Sequence, residues 1–99
     1  MADYKLSLLA ETDIKEISVT TIEVWGKQQA RLYIESLHNS LLTLAQHPDL
    51  GRVRDEVFSG AKSFPSGRHI IFYKPRQGGI DVARVLHQRM DLLSQFDQC

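Results

Sequence analysis

At 99 residues the chain has room for one modest core, burying about 60 to 65% of the surface its unfolded form exposes. A hydrophobic content of 42% with 24% charged residues is that of a globular domain, and no apolar run approaches the roughly 20 residues of a membrane span. Twelve basic and twelve acidic side chains cancel, which speaks against a protein that lives by neutralising phosphates. The charge is nevertheless uneven. Residues 1–51 carry four basic and seven acidic groups, a balance of −3, and residues 52–99 carry eight basic and five acidic, a balance of +3. The opening Met-Ala-Asp-Tyr-Lys has no secretory pattern, so a cytoplasmic location is expected. Cys99, the single cysteine, excludes a disulfide framework.

The chain reads as one domain, 1–99. Tyr4 to Leu9 alternates loosely and is read as a first strand. From Ala10 to Trp25 the apolar positions Ile14, Ile17, Thr21 or Ile22, and Trp25 recur at helical spacing, with Asp13 and Glu16 spaced like a capping box. The β-branched run Val19-Thr20-Thr21-Ile22 opposes a helix, but Gly26 suits a left-handed C-cap and decides for one. Trp25 is expected in the core. A second helix lies between Gly26 and Pro48, with Ala30, Tyr33 or Ile34, Leu37, Leu41 and Leu44 as its apolar stripe. Two helices joined across one glycine form an antiparallel hairpin. Pro48 and Gly51 end the second helix, and Arg52 to Gly60 reads as a partly ordered connection.

Beyond it the period becomes that of strands: Ala61 to Phe64, His69 to Lys74 and Ile80 to His87, separated by Pro65-Ser66-Gly67 and by Pro75-Arg76-Gln77-Gly78-Gly79. These form an antiparallel meander. His69-Ile70-Ile71-Phe72-Tyr73 is apolar on both faces and is expected at its centre, under the hairpin on one side and the tail on the other. The fold class is α+β: an N-terminal strand, an antiparallel helical hairpin, and a three-stranded meander completing one sheet.

Metal chemistry has little to stand on, because His38, His47, His69 and His87 include no i, i+4 pair and no nearby cysteine. Gly78-Gly79 joins strands and opens no helix, so it is no phosphate loop. No serine or cysteine is marked as a nucleophile. The dense polar stretch Arg84-Val85-Leu86-His87-Gln88-Arg89-Met90-Asp91 has two readings. Arg84 pairs within the fold with a carboxylate such as Asp81, Asp91 or Glu56 while His87 ends the strand, or Arg84 and Arg89 project towards a partner or an RNA phosphate.

In order along the chain, Tyr4-x-Leu6-Ser7, Ala10-x-x-Asp13-Ile14-x-x-Ile17, Trp25-Gly26-x-x-Gln29-Ala30-x-x-Tyr33, Leu44-Ala45-x-x-Pro48-x-x-Gly51-Arg52, His69-Ile70-Ile71-Phe72-Tyr73 and Arg84-Val85-Leu86-His87-x-x-Met90-Asp91 together resemble the ParE family of toxins. The resemblance implies the toxin of a type II toxin–antitoxin pair that poisons DNA gyrase without catalysis, with no cofactor, metal, membrane or sequence-specific nucleic acid. It implies a ParD-like antitoxin, folded at its N-terminus for operator DNA and disordered at its C-terminus until it wraps the toxin. Arg84, His87, Arg89, Met90 and Asp91 are the expected target-binding residues, and Tyr33, Leu37 and Leu41 the expected antitoxin-binding ones. The related RelE toxins share the fold and cleave messenger RNA on the ribosome with lysines, arginines and a C-terminal tyrosine. Here no tyrosine follows Tyr73 and only Lys62, Arg68 and Arg84 form a thin basic cluster, although His87 offers an acid or base.

Overall fold

A computed structural model describes residues 2–89. The chain is α+β: strand β1 (Asp3–Leu6), helices α1 (Leu8–Trp25) and α2 (Lys27–Gln46), a 3₁₀ turn at Pro48–Leu50, then β2 (Arg52–Val53), β3 (Lys62–Ser66), β4 (His69–Arg76) and β5 (Gly79–His87). The strands form one sheet in the order β1-β5-β4-β3-β2. β1 runs parallel to β5, and the remaining pairs are antiparallel. β4 is the central strand, as its two-sided apolar character requires. Cover by the tail lies outside the described residues.

Several boundaries differ from expectation, each for a local reason. β1 stops at Leu6 because Ser7 caps α1: its Oγ accepts the Ala10 N–H at 3.0 Å, the usual service of an N-cap serine. Asp13 and Glu16 therefore form no capping box. Gly26 does join the helices, but at φ 90° and ψ 166°, an extended glycine conformation outside the left-handed helical region. The segment read as a loose connection contains β2, whose two residues pair with Ser63 and Lys62, too short to show periodicity. β3 and β4 run through Pro65 and into Pro75-Arg76. Both prolines sit where the neighbouring pairing has ended: β2 stops opposite Ser63, and β3 stops opposite Tyr73. A missing N–H is tolerated on such an edge.

The core lies between the hairpin and one face of the sheet. Ala10 and Ile17 of α1 and Leu37, Leu41, Leu44 and Ala45 of α2 meet Ile71, Tyr73, Ile80, Val82 and Val85. Val82 and Val85 both enter it because β5 gains a residue over β4 between the pairs Tyr73–Val82 and Phe72–Arg84. Such a bulge breaks strict alternation. The freed Ala83 carbonyl accepts from Ser7 Oγ at 2.7 Å, and the Val82 carbonyl from the Ser7 N–H at 3.0 Å. Ser7 thus ties β1, α1 and β5 together. At the other end, Tyr73 Oη donates to the Pro48 carbonyl at 2.7 Å and accepts the Gly51 N–H at 2.9 Å, so a side chain on Gly51 would run into the tyrosine ring.

Candidate functional site

A groove of about 550 Å³ opens where the hairpin meets the ends of β4 and β5. α1 supplies Asp13, Glu16, Ile17, Thr20, Thr21, Val24 and Trp25 as one wall. Gln29 and Tyr33 come from α2, Arg68 and His69 from the β3–β4 turn and the start of β4, and Val85 and His87 from β5.

Its floor is a chain of polar rings. Tyr33 Oη sits 2.7 Å from His69 Nδ1, accepts the Arg68 N–H at 2.9 Å, and lies 3.3 Å from the Ser66 carbonyl. A phenol has one proton. Where His69 Nδ1 is bare, that proton goes to it; where Nδ1 carries a proton, in the other neutral tautomer or in the charged ring, Nδ1–H donates and the phenol turns to Ser66. Gly67 permits this, because its φ of 60° and the Tyr33 ring beside it leave no room for a Cβ. His69 and His87 are a cross-strand pair with ring centroids 5.3 Å apart, edge to face. Burial pushes the His69 pKa down, the facing His87 pushes it further down, and Asp13 opposes both.

Beside the floor, Asp13 takes both Arg84 Nε at 2.8 Å and Nη2 at 2.9 Å, and accepts the Val85 N–H at 3.0 Å. The carboxylate's hydrogen bond holds the Arg84 pKa above its ordinary value, against the opposing pull of burial. At the mouth, Trp25 is 56% exposed and Val24 63%, and the Arg68 guanidinium lies 5.4 Å above the indole centroid. Among the described residues, no three His, Cys, Asp or Glu side chains are grouped to hold a metal. No helix there is long and apolar enough to cross a membrane.

Residues 4–92 match the family described as the ParE toxin of type II toxin–antitoxin system, parDE. The chain belongs to the ParE toxin family. It is 40% identical over 90 residues to Toxin ParE1 of Mycobacterium tuberculosis, covering 90% of this chain and 92% of that one. Toxin ParE1 of Caulobacter vibrioides is 32% identical, with 92% of this chain and 94% of that one covered. Toxin ParE of Escherichia coli is also 32% identical, over 97% and 94%. A solved structure titled chromosomal ParDE TA system from P. aeruginosa superposes with a TM-score of 0.74 at 16% identity, covering 88% of this chain and 96% of that one. At that identity it speaks for the ParE fold alone.

Placed on this ParE fold, the expected site residues divide. Tyr33 and His87 meet in the groove floor through His69. Arg84 lies alongside, held inside the fold by Asp13, so neither Asp81 nor Glu56 is its partner: Asp81 takes Arg76 and Glu56 takes Arg54. Arg89 is exposed just beyond the strand, its N–H donating to His87 Nδ1 at 3.2 Å. Met90 and Asp91 fall outside the described residues. Leu37 and Leu41 do not line a groove: each is 2% exposed and packed against the sheet. Trp25 is the opposite correction, since it stands at the groove mouth and not in the core. It lies eight residues after the buried Ile17, a rotation of roughly 80° about the helix.

In the sequence Asp13 reads as a cap, Arg68 as part of a thin basic cluster and His69 as one of four scattered histidines, and none of them is expected in this groove. Asp13 had a signal: it shares a face with Ala10 and Ile17 at i+3 and i+7, and an acid on an apolar face needs a buried cation. Arg68 and His69 had none, because only the β4–β5 register brings them under α1.

Proposed function

We propose that this ParE toxin poisons DNA gyrase by binding, without chemistry of its own, and is neutralised by a ParD-like antitoxin. Membership of the ParE family along residues 4–92 carries the proposal. The poison acts by favouring the cleaved gyrase–DNA state over the state competent to reseal, and the shift it achieves equals its difference in affinity for the two. Arg89, solvated next to His87 at the end of β5, is suited to the target, whereas Arg84 holds β5 to α1. The groove's charge supports a protein partner, since its lining sets Asp13 and Glu16 against Arg68, and Asp13 is already paired with Arg84 behind it. Purified toxin mixed with gyrase, ATP and supercoiled plasmid is expected to accumulate linear DNA after detergent and protease treatment. Unchanged gyrase cleavage with a toxin that kills cells refutes it.

One observation favours a second reading. His69 and His87, 5.3 Å apart, with Tyr33 bonded to the first, offer an acid–base set for a RelE-type messenger RNA cleavage. Truncation of ribosome-bound message, lost on His87→Ala, would establish that reading instead.

A further inference from the structure

We infer that the Trp25–Arg68 mouth of the groove is an anchor pocket for a protein segment carrying a carboxylate next to a large apolar side chain, and that this segment belongs to the antitoxin. The inference rests on the reading that an antitoxin neutralises this chain; it adds where the segment is gripped and by what chemistry.

Four arginines among the described residues are held by carboxylates: Arg31 by Glu35, Arg54 by Glu56, Arg76 by Asp3 and Asp81, and Arg84 by Asp13. Arg68 differs. No carboxylate among the described residues lies within ion-pair distance of it, and its guanidinium rests over the Trp25 ring. Its root is fixed, because its N–H is bonded to Tyr33 Oη and its carbonyl accepts the Gln88 N–H at 3.0 Å. A rooted guanidinium beside an exposed indole pairs two of the three residue types that dominate binding hot spots, and Tyr33 below supplies the third. An arriving carboxylate gains a planar two-point donor there, while Trp25, Val24 and Ile17 receive the apolar neighbour. The volume of about 550 Å³ lies within the roughly 300–1,000 Å³ of ligand-holding clefts.

Charge orients the occupant. At the far end Asp13 is satisfied by Arg84, and Glu16 lies near enough to favour the charged form of Arg84. That end therefore carries the surplus negative charge and the mouth the surplus positive. The carboxylate of the occupant points to Arg68. A nucleic-acid strand fits poorly, because its phosphates would meet Glu16 and, among the described residues that line the groove, would gain Arg68 as the one cation.

The test uses the full-length toxin with the antitoxin from its own operon, titrated by calorimetry. Trp25→Ala and Arg68→Glu are expected to weaken binding at least about thirtyfold. Arg68→Lys should fall between them and wild type, since a point charge replaces the planar fork. Val53→Ala, at an exposed site on β2, should leave binding unchanged. Melting curves confirm that each variant folds; if Trp25→Ala proves unstable, Arg68→Glu and Arg68→Lys carry the test. An acidic-to-arginine scan of the antitoxin should restore affinity for Arg68→Glu at one position. Wild-type toxin that does not bind the antitoxin refutes the underlying reading. Wild-type binding with Trp25 and Arg68 variants within twofold refutes the anchor alone. The anchor is also overturned if those substitutions abolish self-association or oligonucleotide binding while leaving antitoxin affinity intact.

Discussion

Removing the Asp13 carboxylate should cost this protein a large part of its stability. The Asp13 and Arg84 side chains are 9% and 14% exposed, and Asp13 also satisfies the Val85 N–H at 3.0 Å. Asp13→Ala leaves a mostly buried guanidinium and a buried N–H without their acceptor. Breaking such a pair from one side costs about 3–5 kcal/mol, and a domain of this size holds only about 5–10 kcal/mol in total. Arg84→Ala leaves the carboxylate behind with its Val85 bond, and should cost a similar or slightly smaller amount. The two losses must not add. Asp13→Leu with Arg84→Met removes both charges and fills the space, and replacement of a buried pair by packed apolar groups is often neutral. Urea unfolding of wild type, Asp13→Leu, Arg84→Met and the variant carrying both closes a double-mutant cycle that measures the coupling. Single losses below about 1 kcal/mol, or strictly additive ones, would show that the pair does not bind α1 to β5 as described.

Arg89→Ala should keep the melting temperature and antitoxin binding yet lose toxicity; wild-type killing, read by colony counts, removes the residue from the target surface. Burial and the facing His87 hold the His69 pKa below its ordinary value, so the unfolded chain takes up the proton first. The stability this contributes is present above about pH 6.5, the ordinary histidine value, and is lost as pH falls through it towards the lower folded value. The urea midpoint should fall over that range and fall less in His69→Gln, and parallel curves would contradict the assignment. Gly79→Ala should loosen β1, because a Cβ there meets the Asp3 backbone. Faster amide exchange at the β1–β5 pairing and a lower melting temperature are expected, and an unchanged melt would refute the close approach.

What the sequence revealed follows from which signals are local. The α2 stripe, the change of period after Gly60 and the turns at Gly67 and Gly78 depend on neighbours in sequence, and the strands they predict stand within two residues of the expected bounds. Trp25 misled because α1 is apolar on several faces: Leu8, Leu9, Val19, Ile22 and Val24 are exposed too. A stripe drawn through such a helix has no unique direction. Asp13 is spaced like a cap, and its place on an apolar face calls for a buried cation, but only the fold shows that cation to be Arg84, 71 residues away. β2 holds two residues and owes its existence to β3. The groove joins α1, α2, β4 and β5, and no local pattern encodes that meeting, although Tyr33 and His87 were each marked beforehand.

Induction of this toxin in growing bacteria, followed by recovery of gyrase covalently attached to chromosomal DNA and of ribosome-bound messages from the same culture, addresses the mode of killing directly. Binding-based poisoning predicts that gyrase–DNA adducts accumulate within minutes while the messages stay intact, and that coexpressed antitoxin abolishes the adducts. Truncated messages with gyrase adducts at the uninduced level would contradict it.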